Sequence, residues 1–86
     1  MKIRFHRKFK KQFKKLDKKI QRHFEARLEL FMENPSDYQL NNHALTGEYQ
    51  GHRSINITGN YRAIFTEYSD KLIIFVAIGT HPKLYK

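Results

Sequence analysis

The sequence predicts one α+β domain: an N-terminal strand, a two-helix hairpin, and an antiparallel sheet of about four strands, in the order β-α-α-β-β-β. Three observations predict it. Phe5, Phe9, Phe13, Leu16 and Ile20 recur at steps of four, four, three and four, the stripe of an amphipathic helix. Polar and apolar residues alternate from Arg53 to Ile57 and from Tyr61 to Thr66. Leu72 to Ile78 is continuously apolar, as in a central strand covered on at least one side. A chain of 86 residues has room for one core only, so residues 1–86 form a single domain.

Each element follows in order. Lys2-Ile3-Arg4-Phe5 alternates as a short strand does. The helical stripe begins after it, but Asp17 interrupts the basic run and is a favoured N-cap residue. We therefore expect helices over about 6–15 and 18–33, with one unbroken helix to Glu33 as the competing reading. The second helix should bury Ile20, Phe24, Leu28 and Phe31, with Leu30 and Met32 at its edges. Asn34-Pro35 ends it, because proline disfavours helix in the residue before it. Residues 34–51 read as a long connection anchored by Tyr38, Leu40, Leu45 and Tyr49. Three strands follow, with turns at Thr58-Gly59-Asn60 and Ser69-Asp70. Tyr61, Ala63 and Phe65 should share one face, and Arg62, Ile64 and Thr66 the other. No helix is expected after the last strand.

Composition narrows the function. The chain has no Cys, which excludes disulfides and thiolate chemistry. No apolar stretch approaches the roughly 20 residues of a membrane span. Residues 1–19 lack the apolar block of a signal peptide, so a cytoplasmic location is expected. Hydrophobic residues make up 40% and aromatics 14%, too apolar for a disordered basic tail. The net charge is +9, and it is uneven. Residues 1–27 hold 12 Lys and Arg against Asp17 and Glu25, a net of +10; residues 28–86 hold 5 basic and 6 acidic side chains, a net of −1. A charge run is usually a solvated face, but this density points to a polyanion or an acidic protein.

Few residues suit chemistry. The five His residues show no His-Glu-x-x-His spacing, so no metal site is expected. There is no glycine-rich phosphate loop, and Ser54 has no evident triad partners. The productive set is His43, Arg53, Arg62, His81 and Tyr85. RNA is cleaved when its 2′-OH loses a proton, the phosphorane charge is stabilised and the 5′-oxygen gains a proton. Histidine suits the proton transfers and arginine the charge. Tyrosine can stack on a base. Arg53 and Arg62, on adjacent strands, are expected to be neighbours on one face.

The runs Leu45-Thr-Gly-Glu-Tyr-Gln-Gly51, His52-Arg-Ser-Ile-Asn-Ile57, Gly59-Asn-Tyr-Arg-Ala-Ile-Phe65 and Ile78-Gly-Thr-His-Pro-Lys-Leu-Tyr85 resemble the RelE/ParE toxin superfamily. They are most similar to its RelE/StbE and YafQ-like branch. The basic hairpin ending in Glu33-Asn34-Pro35 is similar too. The resemblance covers nearly the whole chain. It implies the toxin of a type II toxin–antitoxin pair, a metal-independent endoribonuclease that cuts mRNA on the ribosome and needs no cofactor. His81 matches the C-terminal catalytic His, implying a general acid. Tyr85 matches the terminal aromatic, Arg62 the phosphate-stabilising arginine, and His43 a position of a base or helper. Arg53 matches a position that is often basic.

With Asn56, Lys10, Lys11, Lys14, Lys15, Lys18 and Lys19, Arg53 completes the candidate RNA contacts. Ser54, Asn56 and Asn60 depart from the branch, which commonly has Asp and His there. Two other readings follow: a ParE-like gyrase poison, which does not rely on the C-terminal His, or a weakened member that binds RNA or antitoxin without cutting. The implied partners are an acidic antitoxin, the ribosome and mRNA, with no membrane. The toxin is expected to be a monomer alone and part of a larger assembly with its antitoxin.

Overall fold

A computed structural model describes residues 1–85 of the chain. Strand β1 (Lys2–Phe5) leads into helices α1 (Arg7–Lys14) and α2 (Lys18–Glu33). Strands β2 (His43–Ala44), β3 (Arg53–Asn56), β4 (Tyr61–Ser69) and β5 (Leu72–Thr80) follow, then one helical turn, α3 (His81–Leu84). The α+β class is as expected.

The helical break at Asp17 is physical. Its Oδ1 accepts from Lys19 N at 3.0 Å and Ile20 N at 3.2 Å, satisfying two amides that open α2. Gln21 Nε2 donates to Phe13 O at 2.9 Å and Leu16 O at 3.3 Å, which ties the second helix to the end of the first. The unbroken-helix alternative is therefore excluded. On α2, Phe24 and Phe31 are buried, Ile20, Leu28 and Leu30 half-buried, and Met32 exposed.

The sheet has five strands in the order β1-β5-β4-β3-β2, one more than expected. Strand β2 was hidden in the long connection because two residues carry no periodicity. The sheet is also mixed: β1 runs parallel to β5, with Phe5 opposite Phe75, and the other pairs are antiparallel. Single 3₁₀ turns at Tyr38–Leu40 and Gly47–Tyr49 organise the rest of the connection. Leu40 is the buried anchor there; Tyr38, expected beside it, is exposed.

The two sheet faces carry separate cores. Against α1 and α2 lie Ile55, Ala63, Phe65, Phe75 and Ile78. Phe75 is the hub of this layer, with ring centroids 5.3–5.9 Å from Phe5, Phe9, Phe24, Phe31 and Phe65. The opposite face has a smaller core of Ile64, Ala77 and Leu84, flanked by Leu45, Tyr49, Val76 and Tyr85. Strand β5 is covered on both faces, and a bulge in it resets which residues meet each core. Phe65 pairs with Phe75 and Ile64 with Ala77, so Val76 is the extra residue. That is why the run from Leu72 onward is apolar without alternation.

The second core also explains α3, which was not expected. Pro82 presets the first helical turn after Thr80, and Leu84 is buried against the sheet. Tertiary burial of one leucine stabilises a turn too short to be legible by periodicity.

Candidate functional site

The second face of the sheet holds a cleft of about 400 Å³ lined by Asn41, His43, Leu45, Thr46, Arg62, His81 and Tyr85. Three elements meet there. Strand β2 carries His43, β4 carries Arg62, and α3 carries His81 with Tyr85 just beyond it.

His43 is held by its own approach segment. Asn41 adopts a left-handed backbone, φ 47°, a conformation asparagine tolerates better than most residues. Its carbonyl lies 2.7 Å from His43 Nδ1. A carbonyl oxygen only accepts, so Nδ1 carries the hydrogen, and in the neutral ring Nε2 keeps a free lone pair. The next residue is clamped from two sides. Asn42 Nδ2 donates to Pro35 O at 3.0 Å, while Arg53 Nε donates to Asn42 Oδ1 at 2.8 Å and its terminal nitrogen to Asn42 O at 3.3 Å.

Arg62 is anchored through one terminal nitrogen. That nitrogen donates to the carbonyls of Thr58 at 2.9 Å, Gly59 at 3.1 Å and Tyr61 at 3.0 Å. The turn between β3 and β4 thus fixes the planar guanidinium from behind, while the residue lines the cleft.

His81 opens α3, and its amide donates to Asn60 O at 2.9 Å. The Tyr85 amide donates back to His81 O at 3.0 Å, and the two rings lie 4.6 Å apart. One helical turn therefore sets both side chains on the same wall.

The four residues expected to carry catalysis all line this cleft. Arg53 does not. Its register partner is Phe65, whereas Arg62 pairs with Asn56. Arg62 and Phe65 are three residues apart on one strand, so Arg53 and Arg62 face opposite sides of the sheet. The expectation that they are neighbours is corrected by that register. Asn56 shares the face of Arg62, but its Oδ1 is buried with no hydrogen-bond partner and it does not line the cleft.

The candidate lysines belong to α1, α2 and their junction, and none lines the cleft. Lys10 borders an apolar groove with Phe5, Phe9, Phe13 and Phe24, and Lys15 a groove with Tyr61 and Lys83.

Asn41, Asn42 and Thr46 are contributors that sequence reasoning missed. The Asn41-Asn42 pair carried a signal, since asparagine favours left-handed and turn backbone.

No Asp or Glu lines the cleft among the described residues. One arginine and two histidines in an acid-free depression suit a phosphodiester. A proton acceptor, a proton donor and a fixed cation are the groups an internal phosphoryl transfer requires. No group of three or more His, Asp or Glu placed to hold a metal ion occurs among the described residues. No helix there is long and apolar enough to cross a membrane.

A family model described as the bacterial toxin of type II toxin–antitoxin systems, YafQ, matches residues 1–86. Solved structures share the fold. YafQ from E. coli strain BL21(DE3) is 23% identical, with a TM-score of 0.82 over 98% of this chain and 97% of that one. The E. coli DinJ–YafQ toxin–antitoxin complex gives 23% identity and a TM-score of 0.79 over 98% and 96%. The RelB–RelE antitoxin–toxin complex of Methanococcus jannaschii gives 24% and 0.74 over 96% and 95%. No curated protein sequence matches the chain.

Proposed function

We propose that this chain, which belongs to the YafQ family of toxins from bacterial type II toxin–antitoxin systems, is a metal-independent, ribosome-dependent mRNA endoribonuclease. One observation carries the reading: His43, Arg62, His81 and Tyr85, from three separate elements, line one cleft without a carboxylate.

The chemistry follows from their placement. The free Nε2 of His43 takes the proton of a ribose 2′-OH, and the 2′-oxygen attacks the adjacent phosphorus. Arg62 stabilises the charge that builds on the phosphorane oxygens. His81 protonates the departing 5′-oxygen as the P–O5′ bond breaks. The products are a 2′,3′-cyclic phosphate and a 5′-hydroxyl. Tyr85, beside the His81 ring, offers an aromatic surface for the base next to the cut.

The six candidate lysines line none of the cleft and belong to the helices, and their junction, packed on the other face of the sheet, so docking and cutting use different surfaces. Lys10, Lys11, Lys14, Lys15, Lys18 and Lys19 would hold ribosomal RNA phosphates, or be masked by an acidic antitoxin. The E. coli and Methanococcus complexes, in which related toxins are bound by antitoxins, support such a partner.

The test is a translating ribosome system loaded with a defined mRNA. The wild type should cut within the reading frame, and His81→Ala should leave the message whole. Intact mRNA with the wild type, or equal cutting by the variant, would sink the reading. Gyrase-dependent DNA damage insensitive to His81→Ala would select the gyrase alternative.

A further inference from the structure

From the cleft outward, four rings form a row along the second face of the sheet. His81 and Tyr85 are 4.6 Å apart, Tyr85 and Tyr49 6.2 Å, and Tyr49 and His52 5.9 Å. Two smaller depressions follow the same line. One of about 180 Å³ shares Thr46 and Tyr85 with the cleft. The next, of about 270 Å³, shares Glu48 and Tyr49 with its neighbour and ends on His52, His6 and Lys8.

We propose that this row is a track for the single-stranded RNA flanking the scissile nucleotide, running from the cleft to Lys8. The inference rests on the reading of the cleft as an RNA-cutting site. Three features support it. First, these rings stay open to solvent, although Tyr49 and Tyr85 also pack against the second core. Tyr49, His52 and Tyr85 are half-buried and His81 is exposed, while the Phe residues at the centre of the opposite face are sealed. Second, Tyr49 meets Tyr85 at 82° and His52 at 74°, edge to face. An edge covers less of the face it meets than a parallel stack does, so these half-buried rings keep open surface for bases. Third, the ring steps exceed the roughly 3.4 Å per nucleotide of a stacked strand. They suit an extended strand with its bases splayed out, the form in which single-stranded RNA is usually read.

Charge sets the strand's orientation across the track. Lys8 is exposed at the far end, and beside it the His6 ring accepts the Lys8 amide through Nδ1 at 3.0 Å, leaving Nε2–H outward in the neutral ring. Both are donors for a phosphate. Glu48 lines both smaller depressions and repels phosphate. It is suited to accept from a base amino group. Lys8 and His6 therefore hold a phosphate at the far end of the track, while the bases lie over the rings.

The test uses short RNAs with a 2′-deoxy nucleotide at the cut position, so that they bind without being cleaved. A dinucleotide and versions extended on the 5′ or the 3′ side are titrated into the whole chain and followed by NMR. Extension on one side only should tighten binding about tenfold or more. His52→Ala and Lys8→Ala should abolish that gain and leave dinucleotide binding unchanged. Neither side chain belongs to the second core, so both variants should fold. No gain on extension, or the same gain in both variants, would overturn the track. Dinucleotide binding indifferent to Arg62→Ala would instead overturn the cleft reading, so the two failures are separable.

Discussion

Replacing Arg53 with Gln separates two roles that the residue could have had. As an RNA contact it would hold a phosphate. In the structure its guanidinium is spent on Asn42, through bonds of 2.8 and 3.3 Å, in the segment that aims His43. A bond from a charged donor contributes about 1.5–3 kcal/mol. Arg53 is only half-buried, and water can replace part of what is lost. A stability loss of about 1 kcal/mol is expected, or a fall of about 4–8 °C in melting temperature for a domain of this size. The effect on rate should be larger. Asn42 loosens, the Asn41 carbonyl loosens with it, and His43 loses its fixed aim. A misplacement near 1 Å costs about 100-fold, so a drop of about 10- to 100-fold is expected, or roughly 1.4–2.7 kcal/mol in the barrier. The assay pairs single-turnover cleavage with RNA affinity measured across salt concentrations. Loss of one phosphate contact would lower the salt slope by about 0.7; loss of a positioning bond leaves it unchanged. Asn42→Ala should give the same rate defect, and the double variant should be no worse than either single one. An unchanged rate with a reduced salt slope would refute this reasoning.

Other perturbations address the cleft and the core. Arg62→Ala should slow single-turnover cleavage by about 100- to 1,000-fold. Arg62→Lys should recover only part of that, because one ammonium cannot both bond the three turn carbonyls and face the cleft. Phe75→Ala should cost about 3–5 kcal/mol in a urea melt, a large share of the about 4–13 kcal/mol expected for a domain of this length. Ser54 is buried with an unpartnered Oγ. Ser54→Ala should raise stability by about 1 kcal/mol and leave cleavage unchanged, whereas lost cleavage would point to a role for the hydroxyl.

The helical hairpin was legible because its signals are local. The Phe9 and Phe13 stripe, the Asp17 cap and the Asn34-Pro35 stop all act within a turn or two. Strand β2, helix α3 and the parallel docking of β1 were not, since each is stabilised by partners distant in sequence. The site was legible in part. Residue chemistry and the family resemblance together picked out His43, Arg62, His81 and Tyr85. That His43 shares a cleft with His81 depends on β2 pairing with β3 and on Leu84 seating α3, neither of which leaves a periodic trace. Arg53 shows the limit of strand reasoning without register. Alternation told that Arg53 and Arg62 lie on neighbouring strands, but only the pairing with Phe65 shows which face each takes.

On the proposed chemistry, this cleft cuts RNA through the ribose 2′-oxygen. The most direct measurement compares two messages in a translating ribosome system, one all-ribose and one with a single 2′-deoxy nucleotide at the mapped cut site. The ribose message should yield a 2′,3′-cyclic phosphate end, the deoxy message should resist cutting there, and His43→Ala and His81→Ala should slow the first reaction. Cleavage of the deoxy message at an equal rate, leaving the same break, would contradict that chemistry.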